Sequence, residues 1–314
     1  MYYLCWIITC FSFFSCQATE NDTETGAILW RDSFPTEAIA FQLPYDLKKP
    51  KKTFKLPSEL DEISGLDISS NGKRLIAVQD EEGDVFYLST KSGKVKRQFR
   101  FHKDGDYEGI EMVNGRIYVL KSTGTLYEIE NPNERDEDDL EVNKFNDHLD
   151  SSHNVEGLAY DDKNNRLLMA CKGNGKEDYD MHKHIYSFDL ATHTVDMEPI
   201  FSISQEDIMT FLGVGDAVKK LEQFSNKIDP SQSYFGFSPS AVAIHPQTAN
   251  IYVTSSVGKL LIVLNPQGQM LHIEKLDKKI HRQPEGLAFA KNGTLYISSE
   301  GKKGAGKIQV FKMK

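Results

Sequence analysis

Five residues of types that can do chemistry recur at the opening of similar segments: Ser64, Glu108, Glu156, Ser240 and Glu285. Each precedes a small residue and then an apolar one: Ser-Gly-Leu, Glu-Gly-Ile, Glu-Gly-Leu, Ser-Ala-Val and Glu-Gly-Leu. If the segments are equivalent strands around one axis, three carboxylates and two hydroxyls converge at one mouth of a channel. Oxygen donors so placed suit a hard cation, because Ca2+ takes several oxygens in a flexible geometry. Glu108, Glu156 and Glu285 are the metal candidates. Carboxylates this close otherwise repel, which raises their pKa values or calls for a cation. The competing role is mechanical: such a Glu can accept hydrogen bonds from backbone amides of the next unit and hold the units in register. Both roles stay open at the level of sequence.

Three other clusters are weaker. Asp178, Asp180, His182 and His184 alternate, so on an extended strand they share one face. Two imidazoles and two carboxylates suit a transition metal, but the spacing follows no established motif and a polar exposed hairpin is the simpler expectation. The acidic run 80–84 reads as a solvated turn. Arg282, Lys302, Lys303 and Lys307 form a basic rim near Glu285, either as a soluble turn or as the cations that an anionic substrate needs. Nine His residues include no His-Glu-x-x-His pair, and Gly-x-Ser-x-Gly is absent. The chain also carries no P-loop or dinucleotide fingerprint, and 301–306 (GKKGAG) lies in a hairpin rather than before a helix. No catalytic residue is assigned. The 46 acids outnumber the 37 Lys and Arg, a net charge of −9. That balance excludes nucleic-acid binding as the main activity, since such affinity comes from clustered cations. The acidic stretch 134–141 reads as a solvated loop.

The elements that must position the ring are legible as a repeat. Segments from Ser64, Glu108, Glu156, Ser240 and Glu285 each alternate apolar residues, turn at Asn, Asp, Gly or Pro, and continue as a more apolar strand. Third strands are predicted at 85–88, 126–129, 185–188, 260–264 and 308–311, and fourth strands at 95–101 and 270–276. The ring residues are spaced by 44, 48, 84 and 45. A repeat of 40–50 residues with four antiparallel strands is the pattern of an all-β propeller. The gap of 84 holds either a degenerate sixth blade or one blade plus an insertion. Residues 204–226 favour the insertion: Ser204 can cap a helix with Glu206 and Asp207 in its first turn, and Ala217, Val218 and Leu221 follow at helical spacing. Five blades with a helical excursion are therefore expected. The small residues Gly65, Gly109, Gly157, Ala241 and Gly286 read as a packing requirement at the crowded axis. Because the last unit runs out of chain, 53–56 is expected to join it as a closing strand and remove an exposed edge.

The N-terminus points outward from the cytoplasm. Residues 4–14 are an apolar run of signal-peptide length, too short to span a bilayer. It ends Ser15-Cys16 and turns polar, as in a bacterial lipoprotein signal in which Cys16 is acylated. Basic residues before the run are missing, and Phe13 stands where Leu is usual. The expected organisation is a signal at 1–16, a tether and approach segment at 17–45 and a propeller at 46–314. A membrane-associated, cell-envelope location follows. Cys5, Cys10 and Cys16 fall in the signal, so the mature domain holds only Cys171 and no internal disulfide. Cys171 reads as a small buried hydrophobe.

The runs YDLKKPKKTFKLPSELDEISGLDIS, DYEGIEMVNGRIYVL, NVEGLAYDDKNNRLLMACKG, SPSAVAIHPQTANIYV and QPEGLAFAKNGTLYISSEG together resemble the SdiA-regulated (YjiK-type) propeller family, over about residues 45–314. The resemblance implies a bacterial envelope propeller of undefined biochemical activity, with calcium responses among its members. Two of the runs also resemble bacterial β-propeller phytases, calcium-dependent phosphohydrolases. The expected function is binding of Ca2+, a small ligand or an envelope partner at the channel mouth by a monomer, without catalysis. The alternative is a calcium-dependent hydrolase of phosphate esters or lactones.

Overall fold

The computed structural model describes residues 38, 40–133, 139–173, 175, 182–213, 236–301 and 304–314. Cys16, Asp178, Asp180, Lys302, Lys303 and the second half of the expected helical insertion lie outside the described residues, as do 134–138. Among the described residues no helix is long and apolar enough to cross a membrane.

Each unit of the repeat forms one antiparallel sheet. Blade 1 contains β2 (Ile63–Ile68), β3 (Arg74–Gln79), β4 (Asp84–Ser89) and β5 (Val95–Arg100). Blade 2 contains β6 (Tyr107–Val113), β7 (Arg116–Lys121), β8 (Leu126–Ile129) and β9 (Val142–Phe145). In blade 3, β10 (Val155–Asp161), β11 (Arg166–Cys171) and β12 (His182–Asp189) are followed by two short strands, β13 (Thr194–Val195) and β14 (Phe201–Ser204). Both pair with β12, at opposite ends, and together act as its outer edge. Blade 4 is β15 (Ser238–Ile244), β16 (Ile251–Val257), β17 (Leu260–Leu264) and β18 (Met270–Lys275). Blade 5 is β19 (Pro284–Phe289), β20 (Leu295–Ser299) and β21 (Lys307–Phe311), completed by β1 (Lys52–Lys55) from the beginning of the domain. Lys52 to Lys55 pair antiparallel with Val310 to Lys307, the closure expected at 53–56. It removes the free edge of β21.

Local chemistry explains the strands. β17 reads Leu-Leu-Ile-Val-Leu and is buried throughout, as expected of a central strand of β-branched and large apolar residues. Between β6 and β7 only Asn114 and Gly115 intervene, both with positive φ (50° and 90°), the backbone that a tight twisted hairpin demands. The helical excursion begins as predicted. In α1 (Gln205–Gly213), Ser204 Oγ accepts from the Asp207 amide at 2.9 Å, and Asp207 Oδ2 accepts from the Ser204 amide at 2.9 Å. This reciprocal cap fixes the helix start, and Ile208 and Leu212 pack into apolar core.

The core is divided. Each of five apolar clusters fills the space between one pair of neighbouring blades, from Ile76 against Ile110 between blades 1 and 2 to Tyr296 against Leu66 between blades 5 and 1. Burial between blades is therefore what holds the ring together. Tyr45 and Leu47 join the cluster of blades 4 and 5. Tyr45 donates to the carbonyl of Gly293 at 2.7 Å and lies 3.0 Å from His245 Nε2. Cys171 is a free, buried thiol inside the cluster of blades 2 and 3.

Candidate ligand site at the channel mouth

The ring residues share a backbone irregularity that sequence reasoning missed. In blade 2 the pairing of first and second strands runs from Tyr107–Lys121 to Gly109–Leu120, so Glu108 is left without an opposite residue. The same slip leaves out Glu156, Ser240 and Glu285 in their blades, and Ser64 with Gly65 in blade 1. Each ring residue is thus an extra residue in a β-bulge. A bulge bends the strand and re-aims the side chain it carries. Five bulges at one level place these five side chains at the same end of the inner strands.

The glycines that follow turn their bare Cα toward the next blade. A Cβ on Gly65 would stand 2.8 Å from Gly109 C, and one on Gly109 would stand 2.7 Å from Leu158 Cβ. On Gly157 it would lie 2.9 Å from Val242 N, and on Gly286 it would lie 2.7 Å from the Ser64 carbonyl oxygen. The order runs round the ring from blade to blade and closes on blade 1. Along the axis the inner strands leave a cavity of about 10 Å3, space for one water or one small cation.

The five ring residues do not act alike. Ser64 Oγ donates to Glu108 Oε2 at 2.8 Å and approaches the Glu108 carbonyl at 3.1 Å. Ser240 Oγ donates to the Pro284 carbonyl at 2.6 Å. Both serines therefore brace their blade against the next. Glu156 is different: its Oε1 accepts from Lys172 Nζ at 2.9 Å and from Asn154 Nδ2 at 3.0 Å, with its side chain only 6% exposed. Lys172 follows β11 in the same blade and carries the positive charge that the sequence reading left to a cation.

One lysine serves three carboxylates. Burial works against the charge of Lys172, yet Glu156, Glu285 and Glu108 outweigh it and raise the ammonium's pKa. The acids feel the shortage. Burial, then the neighbouring Glu156, pushes Glu108 up to about 9, against the Ser64 hydrogen bond. Burial, then Glu156 and Glu300, pushes Glu285 up to about 8. Glu156 is also raised by burial, with Lys172 opposing. Asp80, placed in a solvated turn by the sequence, is only partly exposed. Burial, then Glu62 and Glu300, pushes it up to about 7. Asp84 of the same run is buried and paired with Arg100 Nε at 3.3 Å. That run is an acidic rim folded onto blade 1 rather than a free turn, because Gly83 packs against the backbone of His102.

Among the described residues no three His, Cys, Asp or Glu side chains stand close enough to hold a metal ion. The carboxylate ring is not a ready-made chelate: Glu156 is bound to Lys172, and Glu108 to Ser64. His182 and His184 do share a face of β12, their rings parallel within 6° and 6.2 Å apart. His184 Nδ1 is engaged with Ser202 Oγ at 2.8 Å. Arg282 is tied to the Gly301 carbonyl at 2.9 Å, close to the start of β19, while Lys307 opens β21.

A further pair of acids, Asp67 half-buried and Glu111 buried, escaped the sequence reading. Asp67 of β2 accepts the Met112 amide of blade 2 at 2.8 Å, and Glu111 of β6 accepts the Tyr160 amide of blade 3. Each stands three residues beyond a ring position. The signal was available in the alignment of repeats, where the other blades carry Ala159, Ala243 and Ala288. Burial raises both pKa values, Asp67 to about 7 and Glu111 well above the ordinary range.

Residues 49–302 match the family model described as SdiA-regulated. The chain belongs to that family. Five bulged Ser-Gly, Glu-Gly and Ser-Ala openings are the structural form that the resemblance takes in this SdiA-regulated propeller. Among solved structures it is similar to the glutaminyl cyclase of Myxococcus xanthus, with 11% identity over 84% of this chain and 95% of that one, and a TM-score of 0.55. A gluconolactonase of Xanthomonas campestris matches at 12% identity over 80% and 72%, TM-score 0.49. A PQQ-bound aldose sugar dehydrogenase of Streptomyces coelicolor matches at 12% over 85% and 100%, TM-score 0.48. At such identities the likeness is one of fold.

Proposed function

We propose that this SdiA-regulated propeller is an exported, lipid-anchored protein that binds a cationic ligand at the acidic mouth of its channel, without turning it over. The carrying observation is at the mouth: among the described residues, three carboxylates from three blades act on the ammonium of Lys172, which is bonded to Glu156. Burial, and after it the neighbouring Glu156, hold Glu108 and Glu285 near 9 and 8, and a second positive charge would offset both. Lys172 itself shows how an amine sits there. The narrow axial space admits only the head of a ligand. Glu62, Asp80 and Glu300 at the rim favour a cation's approach.

Calorimetric titration with putrescine and, separately, with CaCl2 tests this reading and distinguishes an organic amine from the metal ion. Saturable binding of either, abolished by Glu108→Gln and Glu156→Gln, supports the mouth as the site. Unchanged binding in both variants, or none to millimolar concentration, overturns it. Export and anchoring rest on the apolar run 4–14 followed by Cys16; Cys16→Ser should release the protein from membranes, and retention would refute the anchor.

A second reading has one observation in its favour. Carboxyl groups with pKa values near 8 and 9 hold their protons at neutral pH and can serve as general acids. Turnover in a panel of phosphate esters and lactones, with or without Ca2+, and lost in the same variants, would replace binding by hydrolysis.

A further inference from the structure

A second concavity lies at the opposite end of blades 1 and 2 from the mouth, beneath the turns 69–73 and 114–115. It encloses about 370 Å3, the size of a small-molecule site and far roomier than the channel. The charge of its lining is opposite to that of the chain. Arg74, Lys96 and Arg97 line it, and among the described residues no Asp or Glu does, although acids outnumber bases by 46 to 37 overall.

The lining also offers hydrogen-bond donors. Asn71 Oδ1 is used inside its own turn, by Ser69 Oγ at 3.1 Å and the Lys73 amide at 2.9 Å, which leaves the amide NH2 as the group to offer. Arg74 spends one N–H on the Lys73 carbonyl at 3.2 Å and keeps the rest of its fork. Arg97 is held in place, donating to the Pro132 carbonyl at 2.5 Å with its guanidinium 4.6 Å from the Phe99 ring centroid. Tyr87 and Met112 supply an apolar wall. Cations and an amide donor beside an aromatic ring suit an oxyanion carried on an apolar body, and Arg97 already lies 5.8 Å from the Tyr87 ring centroid.

We propose that this groove binds a small organic anion, a phosphate or carboxylate on a planar apolar body, independently of the channel mouth. Phenyl phosphate and benzoate are the probes, with phenol as the neutral comparison, each titrated by calorimetry into the full-length protein. Phenyl phosphate or benzoate should bind saturably, more weakly as salt is raised. Lys96→Glu and Arg74→Gln should each lose about tenfold or more in affinity, the share of one charged hydrogen bond. Lys96 is exposed, so its variant keeps the fold even if Arg74→Gln does not. Glu156→Gln at the mouth should bind the anions as the parent does, which separates this site from the cation site. Absence of saturable binding, phenol binding as well as the anions, or unchanged affinity in Lys96→Glu would overturn the proposal.

Discussion

Replacing Lys172 by Met tests the electrostatics of the mouth directly. The substitution keeps an unbranched apolar stem and deletes the charge that serves Glu156 at 2.9 Å. Removing one partner of a fully buried ion pair costs about 3–5 kcal/mol. Glu156 is buried, but the Lys172 side chain is 37% exposed, so solvent screening reduces the loss to about 2 kcal/mol. For a domain of this size that is a fall in Tm of about 3–4 °C. The pH dependence is the sharper readout. An acid whose pKa is raised on folding keeps a proton that the unfolded chain gives up, so its contribution to stability falls as pH rises from the unfolded value toward the folded one. Glu285 and Glu108, at about 8 and 9, already impose that decline on the parent above about pH 4.5. Without Lys172, Glu156 rises further and adds to the decline. Lys172 has its own raised pKa, so its stabilisation is complete below the unfolded lysine value and lies outside the assay window on the alkaline side. Scanning calorimetry at pH 5, 6.5 and 8 should therefore show a small deficit at pH 5 that widens to the full value at pH 8. Added methylammonium should restore part of the loss at pH 8. An equal deficit at pH 5 and 8, or none at pH 8, would refute the assignment of Lys172 as the shared counter-charge.

Three other perturbations probe the frame. Gly286→Ala places a Cβ 2.7 Å from the Ser64 carbonyl oxygen and 2.8 Å from Leu66 Cβ; a loss of about 2–3 kcal/mol by denaturant melts is expected, while Gly304→Ala, with its nearest neighbour 4.0 Å away, should be close to neutral. Glu111→Gln keeps an acceptor for the Tyr160 amide and removes a buried acid whose pKa lies well above normal, so the variant should lose less stability than the parent between pH 6 and 8.5; a parallel pH profile would count against the raised value. Tyr45→Phe should cost about 1–2 kcal/mol by leaving the Gly293 carbonyl and His245 without their shared hydroxyl. Burial lowers the pKa of His245, so its contribution is present above the unfolded His value and fades as pH falls through the folded one; the loss from Tyr45→Phe is followed by hydrogen exchange in 41–47.

The repeat made the fold legible because propeller blades are local hairpins: the third strand of blade 2 and that of blade 4 fall where alternation put them, at Leu126–Ile129 and Leu260–Leu264. The closing strand was legible from the last unit's missing partner. Within the site, sequence located the ring but not what occupies it. Lys172 lies 16 residues beyond Glu156, and only the pairing of β10 with β11 brings the two together. Asp80 looked solvated because its neighbours in sequence are polar. Its half-burial and the acids at positions 62 and 300 that face it arise from the tertiary fold, which no local pattern reveals. The split outer edge of blade 3 was hidden for the same reason, since β13 is too short to leave a periodic signature.

The bulges connect architecture to chemistry. A regular first strand would pair each ring residue with the second strand and turn its side chain to one face of the sheet. The extra residue frees that side chain while the Gly or Ala after it restores contact with the next blade. Two of the five freed side chains, Ser64 and Ser240, are spent on bracing through the carbonyls of Glu108 and Pro284. At Asp67 and Glu111 the bracing is moved three residues along the strand, where each carboxylate takes an amide of the following blade. Blades 2, 3 and 5 therefore present Glu108, Glu156 and Glu285 at the mouth, of which Glu108 also takes the Ser64 hydroxyl of blade 1. Bracing alone would be served as well by serine, which carries no burial penalty of charge. Retaining three carboxylates, two buried and one half-buried, beside Lys172 costs stability at neutral pH, and that cost is the physical reason to look for a cation at this mouth.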